Sequence, residues 1–277
     1  MSIISDIIYS LPSIKQLHQR DSYIYKVLDT TAKEAIERMF SHQDLHVIQS
    51  LQFPNISMGA ISSKDLFGLD ELILFSFYLA NRNTYKNVID IGANLGLHSL
   101  LLAKIGFQVT AYEPDPYHFQ ILQENMALNH VKTVTAYQAA VSNQSGKAQF
   151  VRVLGNTTSS HLMGSKTPYG ELETFEVPVI DIKEIIKKAD LIKMDVEGHE
   201  GTILLATSSQ DWDHTDALLE IGSIERAKEI YEHLQKMGVN IFTQKSGWQR
   251  VKNFEGMPIS YKEGSLFISK KSDMPWT

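Results

Sequence analysis

The sequence predicts a doubly wound α/β fold, with a mostly parallel sheet covered by helices on both faces. Three observations predict it. From residue 87 onward, apolar strand-like runs alternate with helix-like runs, the rhythm of β-α-β units. The stretch "NVIDIGANLGLHSL" (87–100) passes from a buried strand through glycines into a helix, the corner where such sheets bind ligands. The 277 residues are 43% hydrophobic and 21% charged, enough to bury one large core.

Each element has a local reason. Residues 1–69 read as an N-terminal accessory segment, helical and extended, and residues 70–277 as the sheet domain. Within the first, "TTAKEAIERMF" (30–40) places Ala32, Ala35, Ile36 and Met39 on one side of a helix behind a Thr cap. "HVIQSL" (46–51) reads as a strand. "DELILFSFYLA" (70–80) is an apolar helix whose first-turn acids suit the helix dipole. The strand at 87–93 and the helix at 97–106, stopped by Gly106, follow. A strand at 108–113 leads to a helix at 116–129 that carries Pro116 in its first turn. "TVTAYQAAVS" (133–142) reads as one strand. Residues 146–154 and 173–180 read as strands around a polar, Gly-rich loop. A short helix (181–189), a strand (190–195), a helix (201–208), a strand (216–222) and a helix ending in Gly238 (224–238) complete the alternation. The tail strands 239–244 and 264–270 are expected to pair antiparallel.

Composition excludes several functions. The net charge of −6 argues against nucleic-acid binding, which needs a basic face. The absence of cysteine removes thiolate chemistry, disulfides and cysteine-metal sites. The start, "MSIISDIIYSLPSIK", lacks a basic n-region and does not read as a signal peptide. No stretch approaches the roughly 18 apolar residues of a membrane span. A cytoplasmic location is the default expectation, and homo-oligomerisation is left open.

The glycines after Asp90 discriminate among ligands. A mononucleotide loop requires G-x-x-x-x-G-K-[ST], and no such residues follow. A dinucleotide loop requires G-x-G-x-x-G, but counting from Gly92 the third residue is Asn94 and the sixth Leu97. S-adenosylmethionine, a ligand without phosphates, fits better. Its carboxylate suits amides at a helix N-terminus, its ammonium and sulfonium suit Asp90, and its ribose suits Glu113 at the next strand end. A side chain at Gly92 is expected to fill cofactor space, or to force a backbone angle that only glycine tolerates, with loss of binding in a protein that stays folded. The second constellation is "LIKMDVEGHEG" (191–201), which masses Asp195, Glu197 and His199 at a strand's carboxyl edge, where ionisable groups suit proton transfer. Glu220 closes the next apolar run. Nothing in the spacing of these groups selects a metal. "NTTSSHLMGSKTPYG" (156–170) reads equally as a solvated hairpin loop or as a lid.

Together, "VIDIGANLGLHSLLLAKIGFQVTAYEPDP", "AAVS", "DLIKMDVEGHEGTIL" and the acid closing "ALLEI" resemble the FkbM-type methyltransferases over residues 70–222. The resemblance implies the seven-stranded class I methyltransferase (Rossmann-like) sheet, S-adenosylmethionine as cofactor, and methylation of hydroxyls on sugars or polyketide-like products. By position it implies that Asp90, Gly92, Asn94 and Gly96 form the cofactor loop. It implies that Glu113 holds the ribose and that Gln138, Ala140 and Val141 lie near adenine. Asp195, Glu197 and His199 lie in the family's D-x-E-G-x-E block, and Glu220 is its following strand-end acid. The reading is therefore an O-methyltransferase acting on a small-molecule or glycan acceptor with a free hydroxyl, with Asp195 as base or orienter and His199 assisting. Its rivals are an NAD-dependent oxidoreductase and a non-catalytic nucleoside-binding module on the same fold.

Overall fold

The computed structural model describes residues 2–41, 45–47 and 50–276. The chain begins with α1 (Ile3–Ser10), α2 (Tyr23–Ser41) and a two-strand ribbon, β1 (Leu45–His46) with β2 (Ser50–Leu51). Part of the strand expected at 46–51 lies outside the described residues, and its ends form this ribbon. α1 was not expected. Ser2 caps it by accepting from the Ser5 amide, and Ile4, Ile7 and Ile8 bury its inner side.

Then come α3 (Leu69–Ala80), β3 (Asn87–Ile91), α4 (Leu97–Ile105), β4 (Gln108–Tyr112), α5 (Pro116–Leu128) and β5 (Val134–Tyr137). The chain leaves the main sheet through β6 (Ala140–Ser142), β7 (Gly146–Val153), β8 (His161–Leu162) and β9 (Leu172–Asp181). It returns through α6 (Ile182–Ile185), β10 (Leu191–Met194), α7 (Glu200–Leu205), β11 (Asp216–Leu219), α8 (Ile224–Met237), β12 (Asn240–Thr243), β13 (Gln249–Arg250) and β14 (Leu266–Ser269). The caps follow the residue types. Asp115 accepts from the Tyr117 and His118 amides, Ser223 from the Arg226 amide, and Gly106 and Gly238 stop their helices with left-handed backbones.

The main sheet is mixed, in the order β13-β12-β14-β11-β10-β3-β4-β5. It has eight strands rather than the seven implied by the resemblance; the shortest, β13, spans two residues at the edge beyond β12. β3, β4, β5, β10 and β11 run parallel. β14 runs antiparallel between β11 and β12, as expected for the tail pair. Strand alternation sends Val88, Leu191 and Leu218 to one face, against α1 to α5. Ile89, Ile192, Ala217 and Leu219 face α6, α7 and α8 on the other. Helices thus cover both faces, and residues of α1 and α2 share a core with α3 and α4.

The run 133–142 is two strands, not one. After Tyr137 the chain switches sheets, and β6 pairs with β9 in a four-stranded sheet of order β6-β9-β7-β8. The switch turns Ala139 to Val141 toward the carboxyl ends of the main strands.

Candidate active site

A cavity of about 460 Å³ lies at the carboxyl ends of β3, β4 and β10. That is within the ordinary size of small-ligand sites, at the edge where open α/β sheets place them. Its floor is the β3–α4 loop, with Gly92 and Asn94. Glu113 and Tyr112 at the end of β4 form one wall, and Ala139, Ala140 and Val141 continue it. Asp195, Glu197 and His199 after β10 form another. The roof is the segment after β7, with Thr157, Ser160, His161 and Leu162.

Eight of the twelve expected residues line this cavity: Gly92, Asn94, Glu113, Ala140, Val141, Asp195, Glu197 and His199. Asp90 does not. It is fully buried, on the α3–α4 face of its strand, where its carboxylate accepts from the Ser99 hydroxyl at 2.6 Å and faces the Lys193 ammonium at 3.6 Å. Gly96 is the left-handed cap of α4, packed so closely that a Cβ there meets Leu122 at 3.0 Å. Gln138 is exposed, at the point where the chain changes sheets. Glu220 follows the end of β11 and lines a separate small cavity with Lys193 and Ser265, to which Glu71 and Asp195 also contribute.

The loop glycine is required for close backbone approach rather than for ligand space. A Cβ built on Gly92 falls 2.9 Å from the Asp195 carbonyl carbon and closer still to its oxygen, and φ is +78°. The loop spends its own amides: Gly92 and Ala93 donate to the Tyr112 carbonyl and Asn94 to the Glu113 carboxylate at 2.7 Å. Asp115 donates to the other oxygen of Glu113 at 2.8 Å. Burial still pushes the Glu113 carboxyl up to about 8.

The second wall is strained and charged. Glu197 is a non-glycine residue with φ +55°, a sparsely populated conformation that clusters at functional sites. Burial and the neighbouring Asp195 charge push its carboxyl up to about 7, against the pull of Lys166, whose ammonium it contacts. His199 differs from the expected role. Its Nε2 pairs with the Ser142 hydroxyl at 2.8 Å and its Nδ1 with the Ser165 hydroxyl at 2.9 Å. Burial, with Arg226 nearby, lowers it to about 4, so it is a neutral clasp between β6 and the roof.

The roof segment is tied on three sides. Lys166 meets Glu197, Thr157 pairs with His118 at 2.9 Å, and Ala60 donates to the Gly155 carbonyl at 2.7 Å. Its residues Thr157, Thr158, Ser160, His161 and Leu162 line the cavity. It also delivers a group that sequence reasoning missed. His161 is buried, its Nδ1 lies 2.9 Å from the Ser159 carbonyl, and its Nε2 has no hydrogen-bond partner. A carbonyl only accepts, so Nδ1 carries the proton. Glu71, from the first turn of α3, was also missed. Neither carried a motif; tertiary packing alone brings them here.

Among the described residues no His or acid cluster has the geometry of a metal site, and no helix is long and apolar enough to cross a membrane.

The chain resembles known methyltransferases in sequence. The chain is 28% identical over 190 residues to Methyltransferase 1 of Beauveria bassiana (strain ARSEF 2860), covering 58% of this chain and 75% of that protein. It is 25% identical over 169 residues to Methyltransferase sdnD of Sordaria araneosa, covering 49% of this chain and 65% of that protein. Among solved structures, a ribosomal protein L11 methylase from Lactobacillus delbrueckii subsp. bulgaricus aligns at 13% identity and TM-score 0.40, over 71% of this chain and 78% of that one. WbdD aligns at 13% identity and TM-score 0.41, over 73% of this chain and 40% of that one. The methyltransferase FkbM domain matches residues 90–241, more than half of the sequence, and this chain belongs to that methyltransferase family.

Proposed function

We propose that this protein is a class I methyltransferase that moves a methyl group from S-adenosylmethionine to a hydroxyl of a carbohydrate or similar small acceptor. The observation that carries this reading is the single cavity in which Asn94 and Glu113 stand opposite Asp195 and Glu197. The cofactor class fits the residues present. Asn94 Oδ1 is buried in the cavity wall with no hydrogen-bond partner. Glu113 accepts one backbone amide on each oxygen, and each oxygen keeps a further hydrogen-bonding position for a ribose hydroxyl. Tyr112, Ala140 and Val141 supply an apolar wall for adenine. The pyrophosphate-binding glycine pattern of NAD enzymes is absent.

When bound, the cofactor supplies an electrophilic methyl on a sulfonium. The chain's part is to hold the acceptor oxygen in line and to take its proton. A carboxyl poised near neutral pH suits the second task, and Glu197 is such a group. This moves the base from Asp195 to Glu197. Asp195, whose side chain is 53% exposed and 3.7 Å from Lys193, raises the Glu197 pKa and orients the acceptor.

The test has two arms. Calorimetry with S-adenosylhomocysteine and with NAD should show binding of the first alone; binding of NAD alone would sink the cofactor reading. Transfer of labelled methyl to a panel of neutral glycosides, with mass analysis of the product, should place the methyl on oxygen. Methylation on nitrogen, or binding without transfer to any glycoside, would overturn the acceptor assignment.

A further inference from the structure

We propose that Glu71 holds the α-ammonium of the cofactor's amino-acid part, the place that motif position assigned to Asp90. The inference rests on the S-adenosylmethionine reading above and adds to it the residue that binds the ligand's positive end.

Asp90 is poorly disposed for that task. It is fully buried, bonded to Ser99 and faced by Lys193, and it lines neither cavity. Glu71 lines both, and its side chain is 32% exposed. Topology explains why. α3 runs back along the sheet before β3, so its first turn lies beside the end of β3, next to the Gly92 loop and the first turn of α4. There the His98 ring meets the Glu71 carboxylate at 2.7 Å. The far ring nitrogen of His98 meets the Tyr78 hydroxyl at 2.9 Å. The Tyr78 hydroxyl keeps its proton, since burial and the Asp90 charge push it well above the ordinary range. Tyr78 therefore donates to His98, and His98 donates to Glu71. The chain fixes the carboxylate through one oxygen and leaves the other for a ligand.

Charge points the same way. Burial raises the Glu71 pKa, but the His98 contact and the charges of Lys193 and Arg20 bring it below the ordinary value. Lys193 faces Asp90, Asp195, Glu71 and Glu220 together. With Glu220 held protonated by burial, one ammonium among the three remaining carboxylates still leaves a deficit of positive charge beside the Gly92 loop. Arg20 also acts on Glu71 and Glu220, but its guanidinium is paired with a further carboxylate, Asp70, at 2.7 Å, so the excess of negative charge remains. A cationic group arriving at Glu71 offsets it. An ammonium donates to the remaining carboxylate oxygen in a charge-assisted pair, which is stronger than the bond a neutral donor makes.

The experiment compares ligands that differ only in the ammonium. S-adenosylhomocysteine carries it. Its deaminated analogue keeps the carboxylate and thioether, and 5′-methylthioadenosine lacks the whole amino-acid part. Binding is measured by calorimetry on the wild type and on Glu71→Gln. The expected result is a loss of about ten- to a hundred-fold in S-adenosylhomocysteine affinity in the variant, the range of a charge-assisted hydrogen bond. Affinity for 5′-methylthioadenosine should stay within about two-fold, and the deaminated analogue should bind both proteins alike, which closes the double-mutant cycle. If Glu71→Gln does not fold, the wild type alone still decides: equal affinity for S-adenosylhomocysteine and its deaminated analogue would show that no residue reads the ammonium. An equal loss for all three ligands in the variant, or none for any, overturns the assignment to Glu71. A wild type that binds none of the three refutes the cofactor reading itself, and this inference falls with it.

Discussion

Replacing Gly92 by alanine separates two reasons for a glycine at the ligand corner. If the position were kept small for a ligand, the variant would fold normally and bind poorly. The structure predicts instead that the fold gives way. An added Cβ strikes the Asp195 carbonyl group, 2.9 Å from its carbon and nearer to its oxygen, where ordinary contacts begin at 3.4 Å. Both partners are backbone at the ends of neighbouring parallel strands, tied by the bond from the Asp195 amide to the Ile91 carbonyl at 3.0 Å. Neither can step aside as a side chain would. The left-handed φ of +78° costs a further ~1–2 kcal/mol for a residue with a Cβ. Adding ~1–3 kcal/mol for an overpacked contact gives a loss of about 2–5 kcal/mol. Gly238 is the control. It has φ +68° but nothing within 4 Å of an added Cβ, so Gly238→Ala carries the conformational cost alone. Thermal unfolding of both variants is the assay, at roughly 2–4 °C per kcal/mol for a chain approaching this length. A Gly92→Ala midpoint no lower than that of Gly238→Ala refutes the backbone-collision argument and restores the expectation of a small residue kept for the ligand.

Other outcomes follow from the same site. Glu113→Gln sets an amide NH₂ against one of the Asn94 and Asp115 donors, so S-adenosylhomocysteine affinity should fall by about 1.5–3 kcal/mol; calorimetric affinities equal to wild type would remove Glu113 from the ribose role. Glu197→Gln should depress single-turnover rate by about 100- to 10,000-fold while leaving cofactor affinity within a few-fold, and a larger loss in Asp195→Asn would return the base to Asp195. Wild-type turnover should fall as pH drops through about 7, and Lys166→Met, by removing the charge that lowers the Glu197 pKa, should move that limb upward. Stability should decline between pH 6.5 and 8. Glu113 and Glu220 have folded pKa values of about 8, above their unfolded value, so the folded chain binds more protons and loses stability as pH rises through that window. His18 and His199, lowered to about 4, oppose this only below the ordinary histidine value of 6.5. Unfolding midpoints that rise from pH 6.5 to 8 would contradict the assignment.

How much was legible depends on whether the information was local. The β3–α4–β4–α5 stretch was readable because each boundary carries its own signal: Gly96 and Gly106 with left-handed backbones, and Asp115 capping ahead of Pro116. The cavity-lining part of the site came with it, through Asn94, Glu113, Asp195 and Glu197. Asp90 misled because a motif position says nothing about which face of a strand a residue occupies. Alternation would have placed it with Val88, on the α3–α4 face. The break at Gln138 was invisible because both halves of 133–142 are strand-like, and only the pairing of β6 with β9 separates them. Glu71 and His161 could not be chosen from the sequence. One is a first-turn acid and the other lies in a polar loop, and each acquires chemistry only from what packs against it.

The raised carboxyls and the shared lysine have one common consequence. Glu113, Glu197 and Glu220 titrate near neutrality because burial and repulsion from neighbouring carboxylates such as Asp115 and Asp195 disfavour their charges. That repulsion makes the ligand-free site a place where negative charge is under-compensated, with Lys193 spread over Asp90 and Asp195 at 3.6 and 3.7 Å. On the proposed reading, the arriving ligand is cationic at two points, its ammonium and its sulfonium. A cation beside carboxyls lowers their pKa values, so binding below about pH 8 expels protons and affinity rises with pH across the same window in which the free fold weakens. Loss of the sulfonium charge after transfer reverses part of that gain. The product, with its neutral thioether, is then held less firmly by the same acids than the substrate was. On that reading, the carboxylates that destabilise the empty site would be the groups that favour loading of the cofactor and release of its product.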